Sequence, residues 1–116
     1  MGERQVGDAV VMNVEAPFLR GGDETEQLVQ RLGELAGQGH RRLVVNLSQL
    51  EHLNAPSLGA LVRGSAECRR RGAHLVICCP QSELLKVFQM SRVEDFVTIR
   101  ASESEALAYL SGLKQG

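Results

Sequence analysis

The chain has 116 residues, 43% of them hydrophobic and 23% charged, so the expectation is one domain spanning 1–116 whose core needs no metal or disulfide staple. Its 13 basic and 14 acidic residues are spread along the chain and leave a formal net charge of −1, which excludes a general attraction for nucleic-acid backbones or anionic lipid. No apolar run approaches the ~20 residues of a membrane helix, and MGERQVGDAV lacks the apolar heart of a signal peptide, so no membrane insertion and a cytoplasmic location are expected.

At the N-terminus, Gly7-Asp8 separates Gln5-Val6 from Ala9–Val14, in which Val10, Met12 and Val14 recur with the period of two that places them on one strand face. This pattern predicts a short hairpin. Pro17 and Gly21-Gly22 interrupt it, and Asp23 with Glu26 three residues on resembles a capping box opening a helix. Leu28, Val29, Leu32, Leu35 and Ala36 form that helix's apolar stripe, and Gly37 to Gly39 ends it.

Arg41–Leu47 is short, rich in β-branched residues and nearly continuous in apolar character, which predicts a strand covered on both faces at the centre of a sheet. A helix is then expected over about Ala55–Arg71, with Leu58, Leu61, Val62 and Ala66 inward, three arginines in its last turn and Gly72 as its C-cap. Ala73–Cys79 repeats the buried-strand pattern until Pro80, and a short helix follows with Leu84, Leu85, Val87 and Phe88. Phe96–Ile99 is the last predicted strand. Ser102 and Glu105 form a capping box for a final helix presenting Leu107, Leu110 and Leu113. Strands alternating with helices of this length require crossovers that lay helices on a mainly parallel sheet, so the fold class is α/β.

Four kinds of chemistry are weighed and set aside. Cys78 or Cys79 with His40, His52 or His74 would make a cysteine-dependent enzyme, yet adjacent strand residues point to opposite faces and free cysteines, Cys68 included, commonly serve as small core hydrophobes. The adjacent pair lacks C-x₂₋₄-C spacing for zinc, and Gly21-Gly22 and Gly37-Gln38-Gly39 lack a phosphate-binding pattern, so no metal and no cofactor are expected. Arg69-Arg70-Arg71 reads as a solvated helix end, because no aromatic platform accompanies it. The expectation is a protein that is not an enzyme.

The most informative stretch is Val44-Val45-Asn46-Leu47-Ser48 followed by Asn54-Ala55-Pro56-Ser57-Leu58-Gly59, a buried strand, a tight connection and a helix opening with small residues. It resembles the STAS family (sulphate transporter and anti-sigma factor antagonist), whose pattern is an apolar strand ending Asp-Leu-Ser and then Asp-Ser-Ser-Gly-Leu-Gly. Arg69–Gly72, Leu75-Val76-Ile77 and Val87-Phe88 through Val93 and Phe96 are similar to the family's second half. The resemblance covers essentially the whole chain and implies a STAS, anti-sigma factor antagonist-like fold: one mixed, mainly parallel sheet with about four helices.

The resemblance further implies an anti-sigma factor antagonist that binds an anti-sigma factor or related regulatory kinase at the start of the central helix. Leu53, Asn54, Ala55, Pro56, Ser57, Leu58 and Arg63 are the implied contacts, and Asn46, Asn54 and Gly59 occupy motif positions. In the family a hydroxyl there is phosphorylated to release the partner. Here Asn46 and Asn54 replace aspartates, Ala55 and Pro56 replace the hydroxyl pair, and Ser57 replaces glycine. Phosphorylation is therefore expected to be weak or absent, with Ser57 the candidate acceptor. An accessory subunit of a transporter or sensory scaffold is the alternative role.

Overall fold

The structure, a computed structural model, describes residues 2–15, 18–19, 23–79, 81–90, 92 and 96–113. The expected breaks at Pro17, Gly21-Gly22 and Pro80, and Val93, lie outside them. Strands β1 (Gly2–Val6) and β2 (Ala9–Asn13) form the predicted hairpin. Two residues, Phe18–Leu19, make β3, and helix α1 (Asp23–Gly37) leads into β4 (Arg42–Asn46). The second half runs β5 (His52–Leu53), α2 (Ala55–Arg70), β6 (His74–Cys78), α3 (Ser82–Met90), β7 (Thr98–Arg100) and α4 (Glu103–Ser111).

The main sheet has the order β1-β2-β4-β6-β7, parallel throughout except for the β1–β2 hairpin, and β4 lies at its centre as expected. The period of two divides its residues between the faces. Val11, Val44 and Val76 stand in register on the face that carries Ala106 and Leu110 of α4. Val10, Leu43 and Leu75, with Met12, Val45 and Ile77, stand in register on the opposite face, beneath Leu28, Leu32, Leu61, Leu84 and Phe88 of α1, α2 and α3. This covering of both faces explains why β4 and β6 read as unbroken apolar runs.

The edges carry charge. On β1, Glu3 accepts from Arg31 of α1 at 2.8 and 3.1 Å, and Arg4 pairs with Glu103 of α4. The C-terminus of α2 closes by a double backbone bond, Ala73 N to Cys68 O at 2.8 Å and Gly72 N to Arg69 O at 3.0 Å, which holds Gly72 at φ +87°. Only glycine enters that region freely, so the helix stops where predicted.

Four sequence expectations are corrected. On α2, Leu61 is fully buried and Leu58 and Val62 pack half-buried against the core as expected, but Ala66 is exposed and the inward face also takes in Ser57, Ala60, Gly64, Ser65 and Cys68. The last strand begins at Thr98, because its register is set by Val76, Ile77 and Cys78 of β6; Phe96 precedes it and is 60% exposed. Helix α1 starts at Asp23 itself, and Glu26 accepts from Arg63 at 3.1 Å across the helix pair. Finally, β3 and β5 pair in parallel as a separate two-stranded ribbon, Phe18 with His52 and Leu19 with Leu53, where a plain connection was expected.

Candidate functional site

The exposed corner forms where β4 hands over to α2. Asn46 ends the strand, and its side-chain oxygen accepts the Ser48 amide at 2.8 Å while its nitrogen donates to Glu103 Oε1 at 3.0 Å. Burial pushes the Glu103 carboxyl up, but hydrogen bonds from Arg4 and Asn46 together with the Arg4 charge outweigh it and hold the group below its usual value. The turn after Asn46 closes through Leu50 N to Leu47 O at 3.0 Å, with both leucine side chains fully buried. Three carbonyls of this turn meet the Gln81 amide nitrogen, Leu47 at 2.9 Å, Ser48 at 2.7 Å and Leu50 at 2.6 Å.

Asn54 is the N-cap of α2, with extended backbone at φ −94° and ψ 169°, and its side-chain oxygen accepts the Ser57 amide at 2.9 Å. Pro56 falls in the first turn, where the absent N–H removes a donor that would have no helical partner. Beyond the cap, Ala55, Pro56, Gly59 and Arg63 face solvent, Leu53 and Leu58 are half-buried against the main core, and Arg63 reaches back to Glu26. The structure therefore gathers Leu53 to Gly59 around the start of α2 and sets Arg63 about one turn beyond Gly59 on the solvent face.

Ser57 departs from its expected role as an accessible contact and phosphoacceptor. It begins the inward series of α2, so its side chain is 0% exposed, and its Oγ lies 3.3 Å from the buried Thr25 Oγ1 on α1. A kinase cannot reach this hydroxyl while α1 and α2 are packed together. Beside the corner lies an open cleft of about 790 Å3, lined in part by Ser48, Glu51, Gln81 and Glu83.

Of the residues weighed for other chemistry, His52 lies in β5 beside the corner and the cysteines lie elsewhere. Cys68, Cys78 and Cys79 are free and buried. Burial, reinforced by the charge of Glu67 at Cys68 and of Glu103 at Cys78, pushes these two thiols up to about 11, and burial raises Cys79 as well. A thiol held this way is a poor nucleophile at neutral pH. Among the described residues no group of three or more His, Cys, Asp or Glu side chains could hold a metal ion, and no helix is long and apolar enough to cross a membrane.

Thr25, Gln81 and Glu103 were missed by sequence reasoning. Each acts on the corner from 31 to 57 residues away in the chain, through contacts that no local pattern encodes.

The arrangement of an apolar central strand, a capped helix and small exposed residues at their junction agrees with the family pattern, and the STAS domain profile matches residues 4–106. The chain belongs to the STAS domain family. Among solved structures, this STAS domain is similar to a putative anti-sigma factor antagonist from Thermotoga maritima, with a TM-score of 0.74 at 18% identity over 95% of this chain and 93% of that one. The anti-sigma factor antagonist SpoIIAA in its unphosphorylated form matches with a TM-score of 0.68 at 18% identity, over 97% of this chain and 98% of SpoIIAA. The murine anion transporter Slc26a9 matches with a TM-score of 0.73 at 12% identity, over 95% of this chain and 19% of the transporter. At these identities the likeness is one of fold: among the described residues, four helices on a mixed main sheet of five strands, the main sheet and helices the sequence predicts.

Proposed function

We propose that this STAS domain is an anti-sigma factor antagonist-like regulator, without catalytic activity and acting in the cytoplasm. It docks an anti-sigma factor or related regulatory kinase on the corner from Leu53 to Leu58, with Gly59 and Arg63 extending the surface. Docking is constitutive rather than switched by phosphorylation. One observation carries the reading: the exposed residues of the first turn, Ala55 and Pro56, have no hydroxyl, and the hydroxyl next in line, on Ser57, is fully buried against Thr25. A phosphoryl group on that turn would add about two negative charges beneath a docked partner, and here nothing accessible receives one.

The likeness to Slc26a9 supports a second reading, in which the same corner serves a transporter complex. The two share the surface and differ in the partner.

The test uses the purified chain and a purified serine-kinase-type anti-sigma factor from the same source, titrated by calorimetry with and without ATP and followed by intact mass. Equal binding in both conditions and an unchanged mass are expected. Pro56→Glu should abolish binding without harming the fold, because a carboxylate in the first turn of a helix is favourable there. A phosphoryl-sized mass gain, or binding indifferent to both Pro56→Glu and Leu58→Arg, refutes the proposal.

A further inference from the structure

We infer that Gln81 is the positioning residue of the docking corner, an inference that rests on the docking reading above. Gln81 occupies the N-cap position of α3: its backbone carbonyl accepts from Leu85 N at 3.0 Å, so its side chain leaves from a fixed point. The amide nitrogen then meets the carbonyls of Leu47, Ser48 and Leu50 at 2.9, 2.7 and 2.6 Å, while the amide oxygen lies 3.7 Å from the Cys79 thiol. Three carbonyls converging on one point repel one another unless a donor sits among them, and a carboxamide carries two N–H donors to share.

The consequence is carried along four residues of chain. Leu50 is the last residue of the turn, and its heading directs Glu51, His52 and Leu53 into the Asn54 cap of α2. The β5 segment within that stretch is only two residues long, His52–Leu53, so little ladder pairing fixes its course. Gln81 therefore ties the start of α3 to the start of α2 and sets the angle at which Leu53, Ala55 and Pro56 meet a partner. Shape at a docking surface decides affinity more than its area does.

Gln81→Met keeps the length of the side chain and removes its donors; Gln81→Lys supplies three N–H donors at comparable reach and serves as the rescue. Hydrogen exchange is read residue by residue on the full chain. In Gln81→Met, amides 48 to 53 should exchange at least roughly tenfold faster, while those of Val44 and Val76 in the central strands stay within about twofold of wild type. Gln81→Lys should restore most of the protection. In the calorimetric titration with the anti-sigma factor, Gln81→Met should weaken binding by at least about fivefold and Gln81→Lys should recover it.

Unchanged exchange at 48 to 53, or acceleration spread evenly through β4 and β6, overturns the inference, because either would make Gln81 irrelevant or merely part of general stability. Binding that ignores Gln81→Met yet is abolished by Pro56→Glu overturns it as well, with the docking reading intact. Binding indifferent to Pro56→Glu and Leu58→Arg removes the docking reading itself, and the positioning role falls with it whatever the exchange result.

Discussion

Asn46→Asp returns the family's aspartate to the end of the central strand, and the structure says what that does here. The amide nitrogen now donating to Glu103 Oε1 at 3.0 Å becomes a second carboxylate oxygen facing the first. Losing a hydrogen bond to a charged group costs about 1.5 kcal/mol. Like charges about 3 Å apart repel by about 1.4 kcal/mol in water and by more where the dielectric is lower, and Arg4, which also pairs with Glu103, offsets part of this. The sum is about 2 kcal/mol, or a fall in Tm of about 8 °C for a domain of this size.

Thermal unfolding of both forms at pH 7 measures the gap, and repeating it at lower pH tests the cause. In the wild type the Glu103 carboxyl lies below its ordinary value, so its contribution is present at neutral pH and is lost only as pH falls through that lowered value. In the variant the paired carboxylates force one of the two upward, so it takes a proton first and the repulsion disappears. The gap should therefore narrow between pH 7 and about pH 5. A variant as stable as wild type at pH 7, or a gap independent of pH, refutes the reasoning.

Three further outcomes are expected. Ser57→Asp places an unpaired charge at a fully buried position and should cost about 3–5 kcal/mol, so it will unfold the domain early in urea rather than mimic a phosphorylated state. Ser57→Ala loses only the 3.3 Å contact with Thr25 and should cost about 1 kcal/mol in the same titration; an equal effect of the two would contradict the burial of this site. The thiols of Cys68 and Cys78, held at about 11 against 9 when exposed, confer stability below pH 9 that is lost as pH rises toward 11. The urea midpoint should drop across that window, less so in Cys68→Ala, and native protein should resist iodoacetamide at neutral pH.

The strands and helices of the main sheet were legible because each carries its own signal. β4 and β6 are apolar on both faces, and α4 opens with Ser102 accepting the Glu105 amide as its pattern predicts. The errors on α2 share one origin. Inward positions were chosen by apolarity, which found Leu58, Leu61 and Val62 but added the exposed Ala66 and passed over Ser57, Gly64 and Ser65, which the helix turns inward. Small and polar residues lie there because α1 packs close: Cys68 Sγ reaches the Leu32 carbonyl at 3.7 Å, and the Ser57 hydroxyl finds Thr25. A shift of that phase moved Ser57 from the surface to the interior, and with it the candidate phosphoacceptor. The ribbon of β3 and β5 was invisible because two-residue strands are shorter than any periodicity.

The hairpin strand β1 has a protective consequence. Its burial is slight and its Glu3 and Arg4 are tied to Arg31 and Glu103, so the outermost rail of the sheet is a poor template for another chain. Behind it stands β2, buried from Ala9 through Met12. Cleavage in the turn at Gly7 would peel away that cover and leave a greasy, hydrogen-bond-hungry rim, turning a guarded sheet edge into a seed for stacking copies of the protein.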